Sequence, residues 1–125
     1  MERVLMVGLG GFIGSVLRYW LAGLAQPRRS AFPLGTLVVN VLGCLVIGVV
    51  GKLIETRGFL DPATRALVVI GVLGGFTTFS TFSNESILAA EDGAVGMAVV
   101  NVAGTVLLCL AATWAGRQAV QLIWR

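Results

Sequence analysis

The sequence predicts an all-α integral membrane protein with four transmembrane helices, and three observations lead there. Hydrophobic residues make up 57% of the 125 positions and charged residues only 12%, against roughly 45–50% and about 25% in soluble domains. A globule of this size has too much surface for its volume to hide that much apolar side chain from water. The apolar residues are also gathered into four stretches, each near the length that crosses ~30 Å of hydrocarbon at ~1.5 Å per residue. Prolines and charges fall between the stretches. A soluble enzyme, a disordered tail and a collagen-like fibre are excluded.

The expected helices cover residues 4–24, 34–54, 65–90 and 94–120, forming a single transmembrane domain over residues 1–125. The first ends at Gly23-Leu24-Ala25 like a signal peptide, but it is long and carries Arg18, Tyr19 and Trp20. A retained helix is therefore expected. The first connection holds Pro27, Arg28, Arg29 and Pro33, and the second holds Glu55, Arg57, Asp61 and Pro62. The third, near Glu91 to Gly93, is very short.

The chain has no histidine, which removes imidazole catalysis, imidazole metal sites and imidazole proton relays. Nothing pairs a nucleophile with a base, so no enzyme is expected. Cys44 and Cys109 lie inside apolar runs without a CxxC partner, a spacing that suits small buried hydrophobes better than a zinc or disulfide framework. The net charge of +3 matches the basic loops of membrane proteins. It forms no basic stripe with interleaved aromatics, so no nucleic acid is expected as a partner.

Val7-Gly8-Leu9-Gly10-Gly11-Phe12-Ile13-Gly14 imitates a dinucleotide-binding turn, but Ile13 stands where that pattern needs glycine. The glycines make better sense as helix packing. Gly10 with Gly14, and Gly71 with Gly75, form GxxxG pairs that let backbones approach closely. Four helices this short have little room to enclose a pathway, so these surfaces also suggest an oligomer.

Polar groups in hydrocarbon are costly and mark function. Asn40 lies within the second stretch, where interhelical glue competes with a role in transport. Arg18 sits where it can snorkel to the interface beside Tyr19 and Trp20. The third stretch reads Gly71-Val72-Leu73-Gly74-Gly75-Phe76-Thr77-Thr78-Phe79-Ser80-Thr81-Phe82-Ser83-Asn84-Glu85. Paired glycines followed by hydroxyl and β-branched residues make poor continuous helix, so a break at Gly74-Gly75 in mid-membrane is expected. A break frees carbonyls that suit a hard monovalent cation. The hydroxyls alternate with Phe76, Phe79 and Phe82, giving a wall of hydrogen-bonding groups and ring edges. Ring edges are positive, so such a wall lets a small anion shed water without meeting a fixed cation that would hold it.

The strings Gly10-Gly11-x-x-Gly14-x-x-x-Arg18-Tyr19, Gly35-Thr36-Leu37-x-x-Asn40-x-x-Gly43 and Gly71-x-x-Gly74-Gly75-x-Thr77-Thr78-Phe79-Ser80-Thr81-Phe82-Ser83-x-Glu85 resemble the CrcB/Fluc family of microbial fluoride channels. The resemblance spans the chain, and its third string is the most specific. It implies an antiparallel, dual-topology dimer in a bacterial or archaeal plasma (inner) membrane, with two narrow pores exporting cytoplasmic fluoride down its gradient. It implies that Phe79 and Phe82 line the pore, that Asn40 donates a hydrogen bond there, and that Ser80 and Thr81 continue a polar track. Asn101 and Thr105 stand where the family often has tyrosine and serine. Glu85 and Arg18 match vestibule residues. A structural sodium ion on the two-fold axis maps onto the carbonyls of Gly74 and Thr77.

With four spans, Arg3, Lys52, Arg57, Arg65, Arg117 and Arg125 share one side, and Arg28 and Arg29 the other. That imbalance favours one orientation and fits a paralogous partner of opposite orientation as well as a homodimer. Two other readings compete. A proton-coupled four-helix exporter would place a carboxylate in its first helix, which here has none after Glu2. A scaffold glued by GxxxG faces would leave the third stretch without a purpose.

Overall fold

Apolar chain in hydrocarbon must close its backbone hydrogen bonds within itself, because lipid offers no partner for an open N–H or C=O. The computed structural model describes residues 1–58 and 60–124, and among these residues it contains helices and turns without a strand. Helix α1 is Glu2–Ala25 and α2 is Leu34–Arg57. The third span, Pro62–Glu91, is composite. It begins as α3 (Pro62–Arg65), continues as a π-helix (Ala66–Leu73) and returns to α4 (Gly74–Phe76). Two extended residues follow before α5 (Phe79–Glu91). The last span is α6 (Val95–Ile123). All four spans are long and apolar enough to cross a membrane. α2 runs past its apolar stretch to Arg57, since Glu55 and Arg57 are good helix formers.

The connections are closed by local chemistry. Gln26 organises the first loop: its Nε2 donates to the carbonyls of Ser30 (3.1 Å) and Phe32 (3.0 Å), and its Oε1 accepts from the Gly35 N–H (2.9 Å). Gly58 takes φ +58° at the C-terminus of α2, where its N–H returns to the Ile54 carbonyl, a left-handed cap that other residues resist. Asp61 then caps the third span, accepting from the N–H groups of Ala63 (2.9 Å) and Thr64 (3.1 Å). The Thr64 hydroxyl and these amides hold the Asp61 carboxyl below the usual carboxylate range. Gly93, at φ +82°, turns the short third connection.

Packing follows the small residues. α1 lies against the π segment and α4, α2 lies along α6, and α5 packs on α6. A Cβ added at Gly71 would stand 2.8 Å from the Gly10 Cα, and one at Gly75 would stand 2.7 Å from the Gly11 carbonyl oxygen. Gly14 likewise abuts the Val72 carbonyl, and Gly48 of α2 and Gly116 of α6 abut one another's helix backbones. Two expectations change here. The GxxxG faces are used up inside the chain, sealing α1 to the third span, so they are not the oligomer surface. And Gly74-Gly75 does not interrupt the helix: Gly74 has helical φ −66° and ψ −36°. The glycines serve close approach to α1, and the chain leaves the helix further on, at Thr77 and Thr78.

Candidate functional site

Thr77 (φ −86°, ψ 157°) and Thr78 (φ −148°, ψ 112°) are extended, and neighbouring residues take up several of the hydrogen bonds this disturbs. The Thr77 N–H and hydroxyl both donate to the Leu73 carbonyl at 3.1 Å, closing the first half of the span. The Thr78 hydroxyl oxygen accepts from the Thr81 N–H at 3.2 Å, an N-cap that opens the second half. Asn40 of α2 takes the Thr78 peptide itself: Oδ1 accepts from the Thr78 N–H at 2.8 Å, and Nδ2 donates to the Thr78 carbonyl at 3.0 Å. Gly43, one turn along α2, leaves room for the Thr77 methyl group. Asn40 and Gly43 of α2 are thus a mould for the interruption.

Six of the expected site residues meet on one cavity of about 380 Å³: Asn40, Gly74, Thr77, Phe79, Phe82 and Thr105. Among the described residues, none that lines it is charged. The Phe79 and Phe82 rings lie with centroids 5.3 Å apart and planes tilted by 57°. Their settings differ sharply, since Phe82 is 5% exposed and Phe79 77%. One ring is anchored and the other stands on an open face.

The other expected residues are elsewhere. Asn101, 2% exposed, stands behind the cavity as a strut. Its Nδ2 donates to Ser86 Oγ at 2.9 Å, and Ser86 Oγ donates to the Phe82 carbonyl at 2.8 Å. The Thr105 hydroxyl donates to Asn101 Oδ1 at 3.3 Å. Ser86 carried no signal beyond its position four residues after Phe82. Ser80 and Thr81 gather on Thr78: the Thr78 hydroxyl donates to Thr81 Oγ1 at 2.9 Å and lies 3.3 Å from Ser80 Oγ. Glu85 faces a second cavity of about 640 Å³ with Gln26, Thr36 and Thr81. Its Oε1 accepts from the Thr36 hydroxyl at 2.8 Å, while its buried Oε2 has no partner among the described residues. Thr36 and Gln26 are additions that sequence reasoning missed as site residues, because their partners lie in other elements. Arg18 lines a third cavity of about 330 Å³ with Tyr19, Thr36, Thr78 and Thr81.

Comparison with known proteins agrees in extent with this arrangement. A family described as "CrcB-like protein, Camphor Resistance (CrcB)" matches residues 5–117. A protein of Methanosarcina acetivorans named fluoride-specific ion channel FluC 1 is 45% identical over 117 residues, covering 94% of this chain and 89% of its own length. Proteins named fluoride-specific ion channel FluC are similar too. That of Shewanella halifaxensis is 46% identical over 121 residues, with 96% of this chain and 97% of its own covered. That of Methylobacillus flagellatus is 41% identical over 125 residues, with 98% and 97% covered. The match enters all four spans and contains the whole interrupted one, and on that extent the chain belongs to the CrcB family.

Proposed function

We propose that this chain is a fluoride-selective passive channel that exports cytoplasmic fluoride down its electrochemical gradient, with two pores per antiparallel dimer. The carrying observation, beside family membership, is the uncharged cavity that gathers Phe79, Phe82, Asn40 and Thr105 at the interruption. A hard anion leaving water needs donors and positive partial charge without a full cation to trap it. Ring edges supply the positive charge. An amide nitrogen carries two N–H groups, and Asn40 commits one to the Thr78 carbonyl, leaving the other for the ion. Ser80 and Thr81 extend the hydroxyl track toward the cavity of Glu85 and Thr36, which serves with that of Arg18 as a vestibule. Asn101 acts on this pathway through Thr105.

An uncovered face beside the cavity supports an assembly of two copies. Phe79, Ile70 (61% exposed) and Gly74 lie uncovered beside the cavity, and a second copy in the opposite orientation closes it. The remaining exposed apolar side chains of α1 and α6 face the lipid of a plasma membrane. The partner is the same chain or a paralogue of opposite orientation, the alternative raised by the charge imbalance; of the charges in that imbalance, Arg125 lies outside the described residues. The sodium ion implied by the family fits the residues present. The Thr78 N–H, which would bond the Gly74 carbonyl in an unbroken helix, is given to Asn40. Backbone oxygens of Gly74 and Thr77 would hold the ion, which would satisfy those acceptors and tie two copies together.

Purified protein in fluoride-loaded liposomes tests the reading. Fluoride should escape rapidly with a protonophore present while chloride is retained, and Phe79→Ile and Phe82→Ile should each slow efflux tenfold or more. Efflux that stops when the proton gradient collapses would instead establish the coupled exporter.

A further inference from the structure

Cys44 and Cys109 are the only cysteines of the chain, and their sequence positions give no sign that they meet. The fold brings them together. Cys44 lies one helical turn beyond Asn40 on α2, and Cys109 one turn beyond Thr105 on α6, positions that share a helix face. Because α2 packs along α6, both line the same 380 Å³ cavity. Both are free and half-buried. Around them the wall is apolar, formed by Ile47, Val69, Leu73 and Val106, whereas the hydroxyls and the Asn40 amide lie on the Thr78 side. The cavity therefore has a polar end and a thiol end.

Two thiols without a third ligand do not suit zinc, which takes four. Among the described residues no group of three or more cysteine, histidine or acidic side chains forms a metal cluster. They suit a soft d10 cation that accepts two sulfur ligands in line. Charge favours a divalent one: two thiolates and a dication make a neutral unit, whereas any net charge is costly in so apolar a setting. We propose that Cys44 and Cys109 form a two-thiol site for a soft, two-coordinate divalent cation, and that its occupation closes the adjoining cavity to ions. For mercuric ion, both S–H bonds break, two S–Hg bonds form, and two protons leave to water through the cavity mouth. No oxidation state changes.

The test uses mercuric chloride on the purified full chain. Intact-mass measurement should show one mercury gained and two protons lost per chain, with both thiols lost to a chromogenic thiol reagent. In liposomes, fluoride efflux should fall at least tenfold at one equivalent. Cys44→Ser and Cys109→Ser, each scored against its own uninhibited rate, should require at least tenfold more mercury and recover with one equivalent of glutathione, because one-sulfur adducts exchange readily. Alanine variants repeat the comparison if a serine variant does not fold. Two mercury ions per chain, or single variants as sensitive as the parent, would overturn the site. Binding of one mercury with efflux unchanged would overturn the closure. The block rests on the channel reading and the stoichiometry does not; failure of that reading would show separately, as absent efflux before mercury is added.

Discussion

One carboxamide satisfies both polar groups of the Thr78 peptide, at 2.8 and 3.0 Å. Asn40 and Thr78 are 7% and 9% exposed, so water cannot replace what Asn40 provides. Leaving a buried donor and acceptor unpaired costs about 1–3 kcal/mol each. Asn40→Ala should therefore lower the melting temperature of the detergent-solubilised protein substantially. Asn40→Asp, whose carboxylate still accepts from the Thr78 N–H but sets its second oxygen against the Thr78 carbonyl, should also lower it, and should all but abolish fluoride efflux by setting an anion in an anion's path. If melting temperature and efflux fell in proportion across both variants, Asn40 would be a structural clamp alone. The sequence shows Asn40 as a polar residue in an apolar stretch. Its partner, 38 positions away, is invisible there because periodicity reports a helix face and not what that face meets.

At the level of elements, some glycines are pressed on a neighbouring backbone and others face open space. At Gly75 a methyl group would meet the Gly11 carbonyl oxygen at 2.7 Å, while at Gly104 it would meet nothing within 4 Å. Backbone cannot swing aside as a side chain can. Gly75→Ala should thus push α1 from the third span and destabilise by about 1–3 kcal/mol. Gly104→Ala should be neutral or stabilise by up to about 0.5–1 kcal/mol through helix propensity, and paired melting curves in one detergent check both. The four spans were legible because hydrocarbon thickness sets their length. The place of the interruption was not: Gly74-Gly75 favours a break by propensity, but its contact with α1 keeps it helical, and the mould on α2 moves the break to Thr77-Thr78. The π-helix of Ala66–Leu73 also carries no signal, since its residues are the ordinary apolar residues of a span.

For the whole molecule, the proposed assembly makes sodium a stabilising ligand of the dimer rather than a transported ion. An ion bound only by the assembled state, present at a hundred times its dissociation constant, stabilises by about 2.7 kcal/mol. Exchanging sodium for N-methyl-D-glucamine over prolonged dialysis should lower the thermal stability of the dimer, and readdition should restore it. Tracer sodium should stay inside liposomes while fluoride leaves. Stability indifferent to sodium, or sodium leaving in proportion to fluoride, would remove the ion from this account. The exposed Phe79 face was not readable in the sequence, where Phe79 and Phe82 look equivalent; only the packing of α5 on α6 separates the anchored ring from the uncovered one.

The pairing of spans bears on how the chain is made. Its most extensive contacts join the first span to the third and the second to the fourth, whereas neighbours in sequence pair first in most small folds. During synthesis the second span must therefore wait in the bilayer, without its main partner, until α6 is inserted. A nascent chain stopped after Glu91 has its α1 seam complete and the Gly48 surface of α2 bare. The interruption at Thr77-Thr78 lies where the third span passes from α1 to α6, so the cavity beside it lacks its Thr105, Val106 and Cys109 wall until α6 arrives. A half-made chain therefore has no finished pathway through which to leak.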